Sequence, residues 1–327
     1  VNRRGVLVAL TSLSATVRTV SAQPAAARMT VALTTRSASD WGMEVAQRLG
    51  YFAALGLTVE QVYVGSSSGV AQQITGGSAE IGSVSTTQIV QAVVGGAPLV
   101  DVFRNVTTTP YTVFGRKGLT SVAQLRGKTI MVGGPNDITR VFMDKVLAAY
   151  QLTPDDVTYT FAGGPAERYA ALLNGAVEAT LFNPPVTFRA IDDGYPILDE
   201  VSKYFPGFPT NGFAVRADWA KAHRDQLFAF LRGFLQGTRW VYAPANRARA
   251  VGILQEVDGI TVDVAQRTYE MFVQRGRLLS LAGRFERNDF PQVIDALVRM
   301  KQLQPPLPDS NRFYDNTYVD AAAATLK

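Results

Sequence analysis

Two hydroxyl clusters, Ser66-Ser67-Ser68 and Ser85-Thr86-Thr87, each stand between an apolar run of strand length and a segment with helical spacing. Side chains of this kind cap a helix N-terminus, or they join the unsatisfied backbone N–H groups there in holding an anion without a formal counter-charge. The sequence leaves both readings open. Asn136 and Asp137 pose the same choice ahead of another helix, whose first turn then carries Thr139 and Arg140. A guanidinium placed there can pair bidentately with a carboxylate or sulfonate, and a cation in a first turn opposes the helix dipole, which favours a functional reason for it. Thr35 and Arg36 are the matching candidates in an earlier loop, with a solvated loop arginine as the plainer alternative for Arg36. Trp41, which opens the helix after that loop, either covers a ligand with its ring or packs in the core. Asn183 offers a donor and an acceptor ahead of the stiff Pro184-Pro185 pair. No catalytic set is expected: His223 starts an apolar helix with no carboxylate or nucleophile recognisably beside it, and belongs at the surface.

The elements that position these residues occur twice. From Met29 to Leu33 runs an apolar strand, followed by the loop Thr34 to Asp40 and a helix with Trp41, Val45, Leu49 and Phe52 on one face. Then come a strand from Leu57 to Val64, the serine loop, a short helix through Val70 and Ile74, and Gly77-Ser78-Ala79-Glu80 leading into strand Ile81 to Val84. The same order returns about a hundred residues later: strand Thr129 to Val132, loop Gly133 to Asp137, and a helix face of Ile138, Val141, Phe142, Val146 and Ala149. Strand Val157 to Phe161 follows, then Ala162 to Pro165, a helix through Tyr169 and Leu172, and Gly175-Ala176-Val177-Glu178 entering strand Ala179 to Phe182. The offsets agree, since 129 minus 30 is 99 and 178 minus 80 is 98. Strands alternating with amphipathic helices predict α/β lobes built on mainly parallel sheets, with ligand held beyond the carboxyl ends of the strands. Each lobe then offers three loops to a shared cleft. Crossings between lobes are expected at Asn105 to Thr109 and at Pro206 to Asn211, and the apolar helix stripes around Phe230 and Leu297 are expected to be packing.

Composition removes whole classes of chemistry. The chain has 327 residues, no cysteine and one histidine, which excludes disulfides, thiolate catalysis, cysteine-type zinc sites and multi-histidine metal centres. No cofactor is expected. Arg3 and Arg4, the uncharged run Gly5 to Val17 and the small residues Val20-Ser21-Ala22 and Ala25-Ala26-Ala27 predict a removable export signal over residues 1–27, with a disordered tail as the alternative. Its start resembles a twin-arginine signal. Removing three arginines from a balance of 32 basic and 27 acidic residues leaves about +2, which offers no attraction to nucleic acid. Without an N-terminal cysteine to carry lipid, the mature chain is expected free in a periplasm, divided into a first lobe over 28–105 plus 212–327 and a second over 106–211.

The run Asp40 to Phe52 followed by Leu55-Gly56-Leu57 resembles a family pattern in which a helix ends in Ala-x-x-x-Gly-Tyr-Phe and continues to Gly-Leu-x-Val. Gly77 to Gly82, Leu125-Arg126-Gly127-Lys128 and Gly133-Gly134-Pro135 resemble its later blocks. The family is the solute-binding proteins of ABC importers for alkanesulfonates, taurine, nitrate and pyrimidine precursors. Glu80 and Glu178 depart from it by standing where Asp is usual, and Asp40-Trp41 stands where pyrimidine binders commonly carry a histidine. The resemblance implies a type II periplasmic binding fold, capture of a small organic anion between two hinged lobes, and delivery by a monomer to a permease of the inner membrane. Two other functions stay in view. A cofactor-free enzyme of the same fold would be favoured by an acid of raised pKa deep in the cleft, and a ligand sensor by partnership with an envelope receptor. An effector domain of a transcription regulator is set aside, because no segment ahead of the first lobe is long enough for a helix-turn-helix once the export signal is removed.

Overall fold

The segments Ile81 to Ser85 and Ala179 to Phe182 are buried along their whole length, as central strands covered by helices on both faces must be. Around them the chain, known from a computed structural model that describes residues 26–326 together with Val1, builds two five-stranded sheets. The export signal expected over 1–27 otherwise lies outside the described residues, and Ala27, placed in it, already begins a strand.

The first half runs β1 (Ala27–Leu33), α1 (Trp41–Arg48), α2 (Tyr51–Ala54), β2 (Leu57–Tyr63), α3 (Ser67–Gly76), β3 (Ile81–Ser85), α4 (Thr86–Val94) and β4 (Leu99–Arg104). After the first crossing come β5 (Thr112–Gly115), β6 (Thr129–Val132), α5 (Ile138–Ala149), β7 (Thr158–Phe161), α6 (Pro165–Leu173), β8 (Ala179–Phe182), α7 (Val186–Asp192) and β9 (Ile197–Glu200). The chain then returns through β10 (Asn211–Arg216) into the helices α8 (Ala217–Ala222), α9 (Arg224–Tyr242), α10 (Arg247–Asp258), α11 (Val262–Tyr269), α12 (Asp289–Arg299) and α13 (Thr317–Ala324).

Strand order is β2-β1-β3-β10-β4 in one sheet and β7-β6-β8-β5-β9 in the other, so the second repeats the first with β5 in the place of β10. In each, the first three strands of that order are parallel and the fourth runs against both its neighbours. The reason is where the chain enters. β5 and β10 are the strands that follow the two crossings, so each starts at the cleft, where the parallel strands end, and must run away from it. The glutamates that replace Asp carry equivalent bonds in both copies. Glu80 Oε2 accepts from the Thr30 amide at 2.6 Å and Glu178 Oε2 from the Thr129 amide at 2.9 Å. The Glu80 and Glu178 amides also donate back to the carbonyls of Thr30 and Thr129. Before them, Gly77 and Gly175 end their helices at φ 79° and 70°, a conformation without steric cost only for a residue lacking Cβ.

The apolar stripe of α9 is packing: Phe230 stacks on Phe52 with centroids 5.5 Å apart, and Phe234 meets Phe103 and Phe213. Val293, Ile294 and Leu297 of α12 are likewise buried. Both crossings are tied by one side chain. Arg104, 5% exposed at the end of β4, donates to the carbonyls of Val106 and Thr107 in the first crossing and of Gly207 in the second, and pairs with Asp289 of α12 at 2.8 Å.

Candidate functional site

Between the sheets lies a cavity of about 70 Å³ whose walls come from both halves. Thr34, Thr35, Ser37, Asp40, Ser67, Ser83 and Ser85 face it from one side, and Tyr111, Asp137, Thr139, Gly163, Arg168 and Asn183 from the other. The lobes are closed over it. Asn183 Nδ2 donates to Ser37 Oγ at 3.3 Å across the gap, and Arg267 of α11 pairs with Asp192 of α7 at 2.5 Å. Gln302 links α4 to the Gly133-Gly134-Pro135 loop, accepting from Gln91 at 2.7 Å and donating to the Pro135 carbonyl at 3.0 Å. At Gly163 the two main chains come so near that a Cβ would lie 2.4 Å from the Gly65 carbonyl oxygen.

Arg168 supplies the positive charge of this cavity. It stands in the first turn of α6 with 2% exposure, and no carboxylate among the described residues pairs with it. Its Nε donates to the Leu181 carbonyl, and Nη1 to those of Ala162 and Gly163. These bonds hold the fork rigid and leave the Nη2 N–H groups without a carbonyl acceptor among the described residues, and Tyr111 lines the same cavity within reach of the guanidinium's charge. Burial pushes that phenol up to about 12, with Asp137 adding to the rise and Arg168 opposing it, so Tyr111 stays a neutral hydrogen-bonding group.

Hydroxyl groups complete the walls, and they cap helices as well as facing the cavity. Ser85 accepts from the Gln88 amide at the start of α4, while Ser67 Oγ donates to Ser85 Oγ at 3.1 Å and accepts from its amide at 2.7 Å. Asp137 accepts from both the amide and the hydroxyl of Thr139, whose oxygen in turn accepts from the Gly133 amide at 2.7 Å. An oxyanion placed here meets one unpaired guanidinium and several hydroxyls in a space shielded from water, where each interaction is stronger than at a surface.

The match to the family described as "NMT1/THI5 like" covers residues 39–248, most of the described chain and both halves of this cavity. The chain belongs to the NMT1/THI5-like family. No curated protein matches it. Among solved structures, the alkanesulfonate-binding protein SsuA from Xanthomonas axonopodis pv. citri, bound to MOPS, aligns with a TM-score of 0.70 at 19% identity, over 92% of this chain and 98% of that one. The periplasmic nitrate-binding protein NrtA from Synechocystis PCC 6803 aligns at 0.76 and 16%, over 92% and 89%. A single-substitution mutant of DSZB in complex with biphenyl-2-sulfinic acid aligns at 0.67 and 11%, over 91% and 99%. These likenesses show a shared two-lobed periplasmic binding protein fold.

The NMT1/THI5-like chain brings Thr35, Ser67, Ser85, Asp137, Thr139 and Asn183 to one cavity, but it places the other expected residues elsewhere. Ser66, Ser68 and Asn136 line an adjoining interlobe crevice of about 580 Å³, which Ser67 and Asp137 share with the cavity, and Ser66 caps α3 through the Gly69 amide. Arg36 lies over the Tyr63 ring in a second groove of about 770 Å³, beyond Thr34 and Thr35. Thr86 is fully buried and donates to the Pro209 carbonyl, tying α4 to the second crossing. Trp41 is also fully buried: its Nε1 donates to the Ala250 carbonyl and its ring meets the edge of Tyr269. Arg140 faces away from the cleft, holding Asp144 with its Nε and lying 3.7 Å from the centre of the Tyr159 ring. One residue of helix turns a side chain by about 100°, so Thr139 at the cavity puts Arg140 on a different face. His223 is exposed and stacks on Trp219.

Arg168, Asp40 and Tyr111 were missed as individual residues. For Arg168 a signal exists: at the repeat offset of 98 it corresponds to Val70, a core residue of α3, so a charge stands where the first copy has an apolar side chain. The dipole argument that pointed to Arg140 applies equally to it.

Proposed function

We propose that this chain is the extracytoplasmic solute-binding component of an ABC importer, which captures a small organic anion, a sulfonate or carboxylate, between two hinged lobes. The observation that carries the reading is Arg168, a buried arginine at the interlobe cavity with no carboxylate partner among the described residues. A buried charge without a partner is costly, and an anionic guest removes that cost. The family membership and the likeness to sulfonate- and nitrate-binding proteins support this class of ligand. In this reading the lobes comprise 28–105 plus 212–327 and 106–211. The mature protein acts as a periplasmic monomer, not attached to lipid, after loss of an export signal that ends ahead of β1 at Ala27, and hands its ligand to an inner-membrane permease. Among the described residues no helix is long and apolar enough to cross a membrane.

The test is calorimetry and thermal shift of the mature protein against short alkanesulfonates, arylsulfonates, carboxylates and nitrate, with Arg168→Lys and Arg140→Ala beside the wild type. Arg168→Lys is expected to lose at least tenfold in affinity, because an ammonium cannot keep the carbonyl bonds and face the cavity together, whereas Arg140→Ala stays within twofold. Equal binding by Arg168→Lys would refute the assignment.

A second reading, a cofactor-free enzyme, is favoured by Asp40, a cavity-lining carboxyl pushed up to about 7 by burial. Against it, Ser67 and Ser85 bond to each other and to a main-chain amide, His223 is exposed, and among the described residues the cavity hydroxyl that donates to a carboxylate is that of Thr139, whose partner Asp137 is engaged in capping the same helix. Recovery of a chemically altered ligand from the complex would decide for the enzyme.

A further inference from the structure

Asp40 is not explained by anion capture alone, since a carboxylate in the wall of an anion site opposes the guest. It closes the single turn Ala38–Asp40 ahead of α1, is 5% exposed, and faces the same cavity as Arg168. Asn105 Nδ2 donates to its Oδ1 at 2.9 Å, and no cation among the described residues pairs with it. The titratable groups acting on it add negative charge: Glu44, one turn on in α1, and Asp258, at the end of α10 with both oxygens buried and unpartnered. Tyr63 of β2 completes this neighbourhood, and Arg36 over its ring offsets Glu44 and Asp258. Across the cavity Asp137 Oδ1 is occupied by Thr139. Arg48 offsets Glu44 as well, while neither arginine acts on Asp40, whose surroundings favour keeping a proton.

Building on the anion reading, we propose that Asp40 is a proton-carrying ligand contact, so that an oxyanion is captured together with one proton from solvent. Oδ1 accepts the Asn105 N–H, which leaves Oδ2, free of any partner among the described residues, as the atom that bears the proton and donates it in a hydrogen bond to the guest. Arg168 and Asp40 then grip the oxyanion from opposite lobes, one as a cation and one as a neutral acid. Burial, with Glu44 and Asp258 raising it further against the Asn105 bond, sets the empty carboxyl at about 7. The site is accordingly half prepared near neutrality and fully prepared in acid.

Titration calorimetry with methanesulfonate and with nitrate, between pH 5.5 and 9 and in buffers of different ionisation enthalpy, counts the protons exchanged. The expected result is an uptake that approaches one proton per ligand above pH 8, with affinity falling tenfold per pH unit there. In Asp40→Asn the affinity no longer varies with pH; in Asp258→Asn the profile moves to lower pH but keeps its slope. The wild-type proton count stands even if Asp40→Asn fails to fold. Binding without proton uptake, or with proton release as a guest bearing a cationic group would cause, overturns the inference while leaving anion or zwitterion capture in place. Failure of every probe to bind overturns the parent reading and this one with it.

Discussion

Replacing Gly163 by Ala is the sharpest way to ask whether the closed arrangement is the binding state. The added Cβ would lie 2.4 Å from the Gly65 carbonyl oxygen and 3.6 Å from Ser66 Cβ, both in the opposite lobe. Ordinary contact begins near 3.4 Å, so the two loops must separate by about 1 Å. Overpacking of this size costs about 1–3 kcal/mol. The cost falls on the closed form alone, because opening the hinge relieves it, and the closed-to-open ratio should drop by about 5- to 150-fold. Ligand affinity should fall by the same factor. Thermal stability of the empty protein should hardly change, since no core side chain is disturbed. The chain contains no cysteine, so Gln72→Cys with Ala170→Cys places one spin label on α3 and one on α6 and reports the interlobe distance directly. A Gly163→Ala protein with wild-type distance distribution and affinity would refute the claim that this approach controls closure. A large loss of melting temperature would show instead that Gly163 serves folding.

Arg104→Met removes the clamp on both crossings and leaves Asp289 buried without its partner; urea unfolding should show a loss of about 3–5 kcal/mol, and a loss below 1 kcal/mol would mean the crossings hold themselves. Asp101 in β4 is fully buried with neither oxygen bonded, and burial pushes its carboxyl well above the usual range, so the fold binds a proton that the unfolded chain has released. That contribution is present below about pH 4 and is lost as pH rises toward the raised value, with a slope approaching 1.4 kcal/mol per pH unit. Asp101→Asn should remove that much slope from a plot of unfolding free energy against pH, and an unchanged slope would show that Asp101 is ionised in the fold.

Much of this architecture is visible in one dimension because it rests on local rules. Apolar runs of strand length, helical spacing and the glycines at 77 and 175 mark the elements and their duplication, and the offset near 98 survives as the paired Glu80 and Glu178 bonds. The loops facing the cleft follow from strand direction, which is why Thr35, Ser67, Ser85, Asp137, Thr139 and Asn183 share a cavity. Choosing among neighbours is another matter. Arg140 and Arg168 both stand in first turns of helices in the second half, yet Asp144 and Tyr159 claim the first, while only main-chain carbonyls and Tyr111 surround the second. Trp41 had two plausible fates until α10 and Tyr269 closed over it.

The sequence by itself determined the strands, the helices, their repetition and the ends of the sheets from which a guest is held, because each depends on residues close along the chain. Only the tertiary structure decided which charged side chains are left without a protein partner. Partnership depends on the rotation of each helix and on contacts between segments a hundred or more residues apart. It put Arg168 and Asp40, from opposite lobes, on the walls of one small cavity.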